Sequence, residues 1–354
     1  MSPDVSRSVL FLLSGSELKA SSRVRGYWVA TELQKRGFSC VMQCGQGPLG
    51  CIQALAAAWR CKYVIFQKRY SRWDVLLQRV LTALGRKTIL DLDDAPSRIN
   101  HPVTLQHVSQ MMRRCSAVTV GCQNLADMVA EQGVSATLIP SCVNLDFYAV
   151  PNRAESPERI HLGWIGNGGH YAEDLVQILS EPLRRLAERL PLKLTLVGVG
   201  GHQALREHFG AIAGLETRFI DALDWAAPSA VSDVIAEFDL GLYPRLDNEF
   251  NHYKCGFKAI EYMATGCPVV ASPVGAVSDI VKDGVTGALA VGEDAWIAAI
   301  ERLAGDSRLR SQWGQEGRKR VESEFSTVRA AELMAAQFDR FLDYRGRVAT
   351  RGLD

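Results

Sequence analysis

The feature that most constrains this chain is a series of short apolar runs that alternate with stretches of helical periodicity. The first half contains the runs SVLFLL, FSCVMQ, YVIFQ, KTILDLDD, AVTVGC and ATLIPSCV. The second half contains IHLGWIGNGG, LKLTLVGVG, LETRFI, FDLGLYP, PVVAS and GALAV. Strands that alternate with helices form parallel sheets with helices on both faces. The sequence therefore predicts an α/β protein made of two doubly wound, Rossmann-like units in tandem.

A polar segment, PNRAESPER, separates the two series and has the composition of a linker. We accordingly predict an N-terminal domain over residues 1–153 and a C-terminal domain over residues 158–326. A chain of 354 residues is long enough for two such cores. Because open α/β sheets bind ligands at the carboxyl ends of their strands, two such domains facing each other would form a binding cleft.

Charge is distributed unevenly along the chain. Residues 1–150 carry 17 basic and 10 acidic side chains, a balance of +7, whereas the remainder carries 23 and 29, a balance of −6. Nine cysteines show no CxxC pair, which disfavours a zinc site or a disulfide scaffold. No apolar window approaches the roughly 18 residues that a membrane span needs. We expect a cytoplasmic protein whose first half meets an anionic partner, or two surfaces that differ without functional meaning.

Two glycine- and arginine-bearing turns are candidate anion sites. Gly166, Asn167 and Gly168 follow a predicted strand and open a helix, where backbone N–H groups can face an anion. A plain strand-to-helix turn explains the same residues. Arg23 and Arg25 lie in the first turn of a predicted helix, where the helix dipole disfavours cations. A bound phosphate would compensate, although two solvated arginines remain the alternative.

A third candidate is the stretch YKCGFKAIEYMATG. Lys254, Lys258 and Glu261 have the spacing i, i+4 and i+7, which would place two cations and one carboxylate on one helical face.

The segment FKAIEYMATGCPVVASPVGAVSDIVKDGVTGALA resembles the donor-binding segment of family 4 glycosyltransferases, which are retaining enzymes of GT-B fold. HLGWIGNGGH, FDLGLYPRLDNEFNHYK and ASSRVRGYWVATELQKRGF are also similar to that family. The resemblance implies a GT-B fold whose last helix, residues 327–346, crosses back to the N-terminal domain. It also implies a UDP- or GDP-linked sugar bound by the second domain and an acceptor bound by the first.

The resemblance assigns roles residue by residue. Glu261 matches the second glutamate of a paired motif and would accept hydrogen bonds from the ribose. Lys254 and Lys258 would neutralise the diphosphate in place of a metal, and Gly275, in the same segment, would be a donor-binding residue. The first glutamate of the pair is replaced here by Tyr253. Its contact with the sugar is therefore left to Glu249 or Asn251.

The stretch DLDDAP, which begins at Asp91, admits several interpretations. It looks like a DxD metal motif, but GT-B enzymes generally need no metal for the chemistry, and we expect neither a metal nor another cofactor. Asp94 could cap local structure, or position or deprotonate an acceptor hydroxyl. The resemblance leaves the acceptor open among a glycan, a lipid-linked molecule and a small molecule.

The stretch SRWDVLLQRVLTALGRK, with QKRY before it, combines an apolar stripe with flanking cations and suits either an anionic membrane surface or packing on its own sheet. The cations are Lys68, Arg69, Arg72, Arg79, Arg86 and Lys87.

Other function classes are less favoured. A nucleotide-sugar epimerase of GT-B fold and a non-catalytic two-domain ligand-binding protein remain alternatives. A nicotinamide oxidoreductase is disfavoured because neither half opens with GxGxxG and a following acidic residue. No basic groove with interleaved aromatic residues indicates nucleic-acid binding.

Overall fold

The computed structural model describes residues 5–96, 102–153, 157–224 and 226–350. The chain forms two compact units. The first unit consists of Met1–Cys142, Tyr253–Cys255 and Phe325–Asp354. The second unit consists of Val143–His252 and Gly256–Glu324.

The division falls before the segment that the sequence marks as a linker. Residues 143–153 belong to the second unit, because their side chains bond to it: the Tyr148 hydroxyl donates to Glu261, and Arg153 donates to the carbonyl oxygens of Phe238 and Thr265. Residues 154–156, within the expected linker, lie outside the described part of the chain.

The first unit is built on a six-stranded parallel sheet of order β2-β1-β3-β4-β5-β6. Its strands are β1 (Ser8–Leu12), β2 (Ser39–Gln43), β3 (Tyr63–Gln67), β4 (Lys87–Leu92), β5 (Ala117–Val120) and β6 (Ala136–Leu138). β1 and β3 are buried along their whole length, as expected for central strands covered on both faces. The order reverses between β1 and β3, which is the switch point where such sheets bind ligands.

Helices connect these strands. They are α1 (Ala20–Ser22), α2 (Trp28–Lys35), α3 (Gly47–Ala58), α4 (Arg72–Ala83), α5 (Pro102–Arg114) and α6 (Gln123–Ala130). A π-helical segment, Arg23–Tyr27, joins α1 to α2 without a break. Helix α5 has no counterpart in the sequence-based expectations.

The expectation for α4 was right for its position and wrong for two of its cations. Ser71 and Asp74 form a capping box at its start, which fixes where the helix begins. Arg69 is buried and pairs with Asp74 at 2.6 Å, and Lys68 pairs with Asp94, so neither belongs to the outer basic face. These pairs, one buried and one partly exposed, form because Lys68 and Arg69 follow the end of β3 rather than lying on the helix.

The second unit repeats the architecture with a parallel sheet of order β12-β11-β10-β7-β8-β9. Its strands are β7 (Ile160–Ile165), β8 (Leu192–Val197), β9 (Leu215–Ile220), β10 (Leu240–Tyr243), β11 (Val269–Ala271) and β12 (Gly287–Leu289). Its helices are α7 (Gly168–Ala187), α8 (Gln203–Gly210), α9 (Ala230–Ala236), α10 (Glu249–His252), α11 (Phe257–Ala264), α12 (Val277–Ile280), α13 (Glu293–Gly305) and α14 (Ser307–Glu324). The switch point of this sheet lies between β7 and β10.

The last helix, α15 (Thr327–Thr350), returns to the first unit as expected and is longer than the predicted span of 327–346. Its Phe338 ring stacks on Tyr63 at a centroid distance of 4.3 Å, and the Tyr63 hydroxyl donates to the Phe338 carbonyl.

The predicted fold class is confirmed. Each of the twelve apolar runs forms a strand, and the strands divide between two doubly wound parallel sheets. None of the helices in the described part of the chain has the length and apolarity needed to cross a lipid bilayer.

Candidate active site

The Glu261 carboxylate of the second unit is buried and has one hydrogen-bond donor at each oxygen. Glu261 lies in α11, is 3% exposed and accepts hydrogen bonds at both oxygens. Tyr148 donates its hydroxyl to Oε1 at 2.8 Å, and Lys258 Nζ lies 2.9 Å from Oε2. Buried polar side chains need such hydrogen-bond partners. The two donors therefore fix the orientation of the Glu261 carboxyl group.

Lys254 does not share this helical face, and the expectation of one stripe with Lys258 and Glu261 is wrong. Gly256 has a φ of +63° and forms the N-cap of α11, so the helix begins only at Phe257. A left-handed residue interrupts helical geometry, and glycine adopts it without a Cβ penalty. Tyr253–Cys255 precedes that break and belongs to the first unit.

In the first unit, Lys254 joins a charged cluster at the carboxyl ends of β3 and β4. Lys68 Nζ and Lys254 Nζ lie 2.6 and 2.9 Å from the two oxygens of Asp94. Lys68 also lies 3.3 Å from Asp93. The structure thus brings together two of the predicted site residues, Lys254 and Asp94, and adds Lys68.

The cluster changes the protonation of its members. Burial alone would raise the pKa of Asp94, but the charges of Lys68 and Lys254 and their hydrogen bonds hold it below its ordinary value. Burial raises the pKa of the neighbouring Asp93 despite the opposing charge of Lys68. Asp94 is therefore ionised at neutral pH, with a lysine at each oxygen, which suits a group that positions a hydroxyl rather than one that donates a proton.

Arg25 forms a buried ion pair, which differs from both interpretations that the sequence left open, a phosphate-binding cation and a solvated arginine. Its side chain is buried and forms a bidentate pair with Asp91, with N–O distances of 2.6 and 2.7 Å. It also donates to the Ile139 carbonyl oxygen at 2.9 Å. Burial alone would lower the pKa of Arg25, but the charge of Asp91 raises it above its ordinary value. The π-helical segment turns Arg25 toward the sheet, which the sequence pattern did not indicate.

Arg23 is partly exposed. It donates to the Glu17 carbonyl oxygen at 3.3 Å, and its guanidinium lies 5.7 Å from the centre of the Trp28 ring.

The glycine-rich turn after β7 is only partly available to an anion. Gly166 N–H donates to the Val197 carbonyl and Gly168 N–H to the Gly198 carbonyl, at 3.0 and 2.8 Å. These two amides therefore fasten the turn to the end of β8. A Cβ at Gly168 would lie 2.9 Å from Val199 Cα, so this position requires glycine for packing. Asn167 is the N-cap of α7, and the expected anion contact falls to the amides of Asn167 and its neighbour Gly169.

The remaining predicted residues have separate environments. Glu249 is exposed at the start of α10. Asn251 is buried and its amide donates to Asp174 and to the Leu246 carbonyl, so its role is structural. Gly275, which precedes the N-cap residue of α12, has a φ of +64°, a conformation that favours glycine.

Two residues near these sites were not predicted by the sequence analysis. Tyr148 carried no motif, because its contact with Glu261 joins positions that are 113 residues apart. Arg245 follows β10 at the switch point of the second sheet. It is buried, pairs with Asp174 at 3.2 Å and stacks on Tyr171 at 3.6 Å from the ring centre. A basic residue directly after a strand at a switch point was the available signal.

Part of the chain is similar in sequence to known glycosyltransferases. Residues 159–306 match the family model described as Glycosyl transferases group 1. D-inositol 3-phosphate glycosyltransferase from Corynebacterium diphtheriae is 32% identical over 147 residues, which cover 40% of this chain and 33% of that protein. The chain thus aligns with about a third of the length of this curated relative.

Solved structures match over nearly the whole chain. Sucrose-phosphate synthase from Thermosynechococcus elongatus superposes with a TM-score of 0.71 at 15% identity, covering 95% of this chain and 99% of that one. HepE from Anabaena, solved in complex with UDP, gives 0.71 at 14% identity and covers 94% and 100%. At such identities the likeness shows the fold alone. The chain therefore has the GT-B fold, and residues 159–306 within its second unit are similar to the glycosyl transferases group 1 domain.

Proposed function

We propose that the protein is a glycosyltransferase that moves a hexose or related sugar from a nucleoside-diphosphate sugar to a hydroxyl acceptor. The observation that carries this proposal is the buried Glu261 carboxylate, held by Tyr148 and Lys258 inside the segment that matches the glycosyl transferases group 1 model. A buried carboxylate with a cation beside it offers one group to the ribose hydroxyls and one to the diphosphate.

The donor is proposed to be UDP-linked. HepE was solved with UDP, with UDP and glucose, and with UDP-glucose, which supports this choice over GDP. Glu261 accepts hydrogen bonds from the ribose hydroxyls, and Lys258 exchanges its contact with Glu261 for one with a phosphate oxygen. The amides of Asn167 and Gly169 and the side chains of Glu249 and Arg23 remain candidates for further donor contacts.

The reaction is proposed to proceed with retention at the anomeric carbon, as in family 4. The acceptor oxygen forms a bond to the anomeric carbon while the bond to the diphosphate breaks. The acceptor proton passes to a phosphate oxygen, and the diphosphate leaves with its negative charge stabilised by lysine. Electrostatic stabilisation of a departing phosphate is worth several kcal/mol in transition states of this kind. No metal ion or other cofactor is needed for this step.

The acceptor is proposed to bind the first unit, with Asp94 positioning its hydroxyl. Lys68 and Lys254 keep Asp94 ionised, and an ionised carboxylate accepts a hydrogen bond from a hydroxyl group. Lys254 is also proposed to neutralise part of the diphosphate charge, in addition to its contact with Asp94. The acceptor is a glycan, a lipid-linked molecule or a small molecule.

Thermal-shift screening tests the donor assignment. UDP at about 100 times its dissociation constant should add roughly 2.7 kcal/mol to the free energy of unfolding, and GDP and ADP should add less. A raised melting temperature with UDP alone supports the proposal. No shift with any nucleoside diphosphate contradicts it. Incubation with UDP-glucose in the absence of acceptor distinguishes an epimerase, which would release a second UDP-hexose.

A further inference from the structure

The outer surface of helices α3 and α4 in the first unit exposes a group of large apolar side chains that do not pack against the unit. Fifteen large apolar side chains are exposed in the described part of the chain, and six of them lie on these helices or at their ends. The six are Leu49, Ile52, Trp59, Leu76, Val80 and Leu84. We call these six residues the α3–α4 face.

On each helix the exposed residues form one stripe. Leu76, Val80 and Leu84 follow each other at intervals of four, which keeps them on the same side of α4, while Leu77 and Leu81 are buried against the unit. Leu49 and Ile52 are spaced by three on α3 and are 66% and 64% exposed. Trp59, directly after α3, is 73% exposed. The sheet-facing sides of the helices are satisfied, so the outer stripes serve no fold-related packing.

The two stripes lie side by side. Cys51 Sγ in α3 lies 3.5 Å from the Trp73 carbonyl oxygen in α4. At the other end, Arg86 donates to the Trp59 carbonyl oxygen at 3.0 Å. Contacts at both ends therefore make α3 and α4 neighbours that run in the same direction, with an exposed apolar stripe on each. Contiguous exposed apolar area, unlike scattered apolar residues, marks an interaction surface.

The charge around the α3–α4 face has a single sign. Between residues 47 and 87 the only acidic residue is Asp74, which is buried and paired with Arg69. Arg60, Arg72 and Arg79 are exposed in the same segment. A soluble protein partner with an apolar contact surface does not require such uniform charge. An anionic lipid surface favours uniform positive charge around apolar side chains. Its headgroups attract cations, and its acyl region accepts the apolar side chains.

We propose that the α3–α4 face docks the first unit on an anionic lipid bilayer. Leu49, Ile52, Trp59, Leu76, Val80 and Leu84 enter the headgroup–acyl boundary, and Arg60, Arg72 and Arg79 contact lipid phosphates. The proposal differs from the sequence-based expectation, because Lys68 and Arg69 take no part and α3 supplies half of the apolar contact. It does not depend on glycosyl transfer, and its test measures no activity.

Vesicle sedimentation with the full-length chain tests the docking. The protein should pellet with vesicles of phosphatidylglycerol and phosphatidylcholine at low salt, and much less with phosphatidylcholine alone or at high salt. Each cation near such a surface contributes about fivefold to partitioning, the equivalent of about 1 kcal/mol. The triple variant R60Q/R72Q/R79Q should therefore partition about a hundredfold more weakly.

A second variant tests the apolar contribution, and a third serves as the control. I52S/L76S removes two exposed apolar side chains and should weaken partitioning at least tenfold. V291S/R308Q removes one exposed apolar and one exposed basic side chain from the second unit and should bind like the parent. All of these positions are exposed, so unchanged melting temperatures are expected and verify that the variants fold.

Tryptophan fluorescence locates the contact. Vesicle binding should shift the emission to shorter wavelength in the parent, and W59F should pellet normally but lose most of that shift. Failure to pellet with anionic vesicles at low salt overturns the proposal. Pelleting that R60Q/R72Q/R79Q and I52S/L76S leave unchanged also overturns it. Retention on single-stranded RNA or on an acidic protein, without vesicle binding, assigns the face to that partner instead and likewise refutes lipid docking.

Discussion

The Tyr148 hydroxyl lies 2.8 Å from Glu261 Oε1, with both residues buried in the second unit. Tyr148 comes from the segment that follows the first sheet, and Glu261 from α11. With Lys258 at the other oxygen, Glu261 has one neutral and one charged donor. A hydroxyl donor orients the carboxylate without neutralising it, so the group stays able to accept hydrogen bonds from a ligand.

Replacing Tyr148 by Phe should weaken UDP binding by misorienting Glu261. The variant leaves a buried carboxylate oxygen without its donor, which costs roughly 1–3 kcal/mol of stability. Glu261→Ala should weaken UDP binding further, because the acceptor itself is lost. Titration calorimetry with UDP measures both effects.

Tyr63→Phe is the matched control for Tyr148→Phe. Tyr63 is equally buried and donates its hydroxyl to the Phe338 carbonyl at 3.3 Å, but it lies in the first unit. It should lower stability and leave the UDP dissociation constant unchanged. Parent-like UDP affinity in both Tyr148→Phe and Glu261→Ala would rule out the ribose role of Glu261.

Lys258→Met should lower kcat strongly and the free energy of unfolding only modestly. The substitution keeps the aliphatic part of the side chain and removes the charge. Loss of one preorganised electrostatic contact to the leaving group typically costs two to three orders of magnitude in rate. The transfer rate at saturating UDP-sugar measures this effect. Lys282→Met, an exposed lysine of the same unit, should behave like the parent. Undiminished turnover in Lys258→Met, or loss of parent activity on addition of a chelator, would refute the metal-free role of lysine.

Asp94→Asn should reduce kcat/KM for the acceptor by at least tenfold and leave UDP affinity near the parent value. The change preserves shape but removes the charge that Lys68 and Lys254 share. Steady-state kinetics with varied acceptor, together with UDP calorimetry, separate the two effects. An equal loss of UDP affinity would assign the cluster to the donor, and full activity would remove Asp94 from the site.

The fold was readable from the sequence because its signals are local. Central strands such as Ser8–Leu12 are almost entirely apolar, and such runs alternate with amphipathic helices. The start of α11 was not readable, since the periodicity from Lys254 to Glu261 continues through Gly256, and only the left-handed backbone there shows that the helix begins later.

Site residues could be predicted from the sequence only where they lie within one recognisable motif. Glu261 and Lys258 lie three residues apart in one recognisable stretch, and the structure pairs them. Arg25 and Asp91 are 66 residues apart, and neither position indicates the other. Arginine after a helix start is compatible with both a free cation and a buried ion pair, so the choice depended on tertiary packing that no local pattern encodes.

Arg25→Met should be strongly destabilising, because it leaves Asp91 buried without its main partner. Removal of one member of a buried ion pair typically costs about 3–5 kcal/mol. Chemical denaturation measures the loss. Arg184→Met breaks an exposed pair with Glu181 and should change stability little. If Arg25→Met kept parent stability but lost UDP binding, the phosphate-binding interpretation would be restored.

His161 should make the stability of the second unit depend on pH in the weakly acidic range. Its ring is buried in β7 with Nε2 2.7 Å from Thr195 Oγ1. Burial, together with the charge of Lys193, lowers the pKa of His161 below its ordinary value of 6.5. As the pH falls, His161 is therefore protonated near pH 6.5 in the unfolded chain but only at a lower pH in the folded chain. The contribution of neutral His161 to the free energy of unfolding is greatest above pH 6.5. It decreases as the pH drops toward the pKa of His161 in the folded chain.

The expected slope is set by one proton. Between the folded pKa and pH 6.5, each pH unit of acidification costs up to about 1.4 kcal/mol. Urea unfolding at a series of pH values from 7.5 to 5 measures this slope in the parent and in His161→Gln, which has no titrating ring. The variant should be less stable at pH 7.5 because a buried contact is altered, yet its stability should fall less between pH 6.5 and 5. Identical slopes in the two proteins would show that His161 is protonated equally in the folded and unfolded chains.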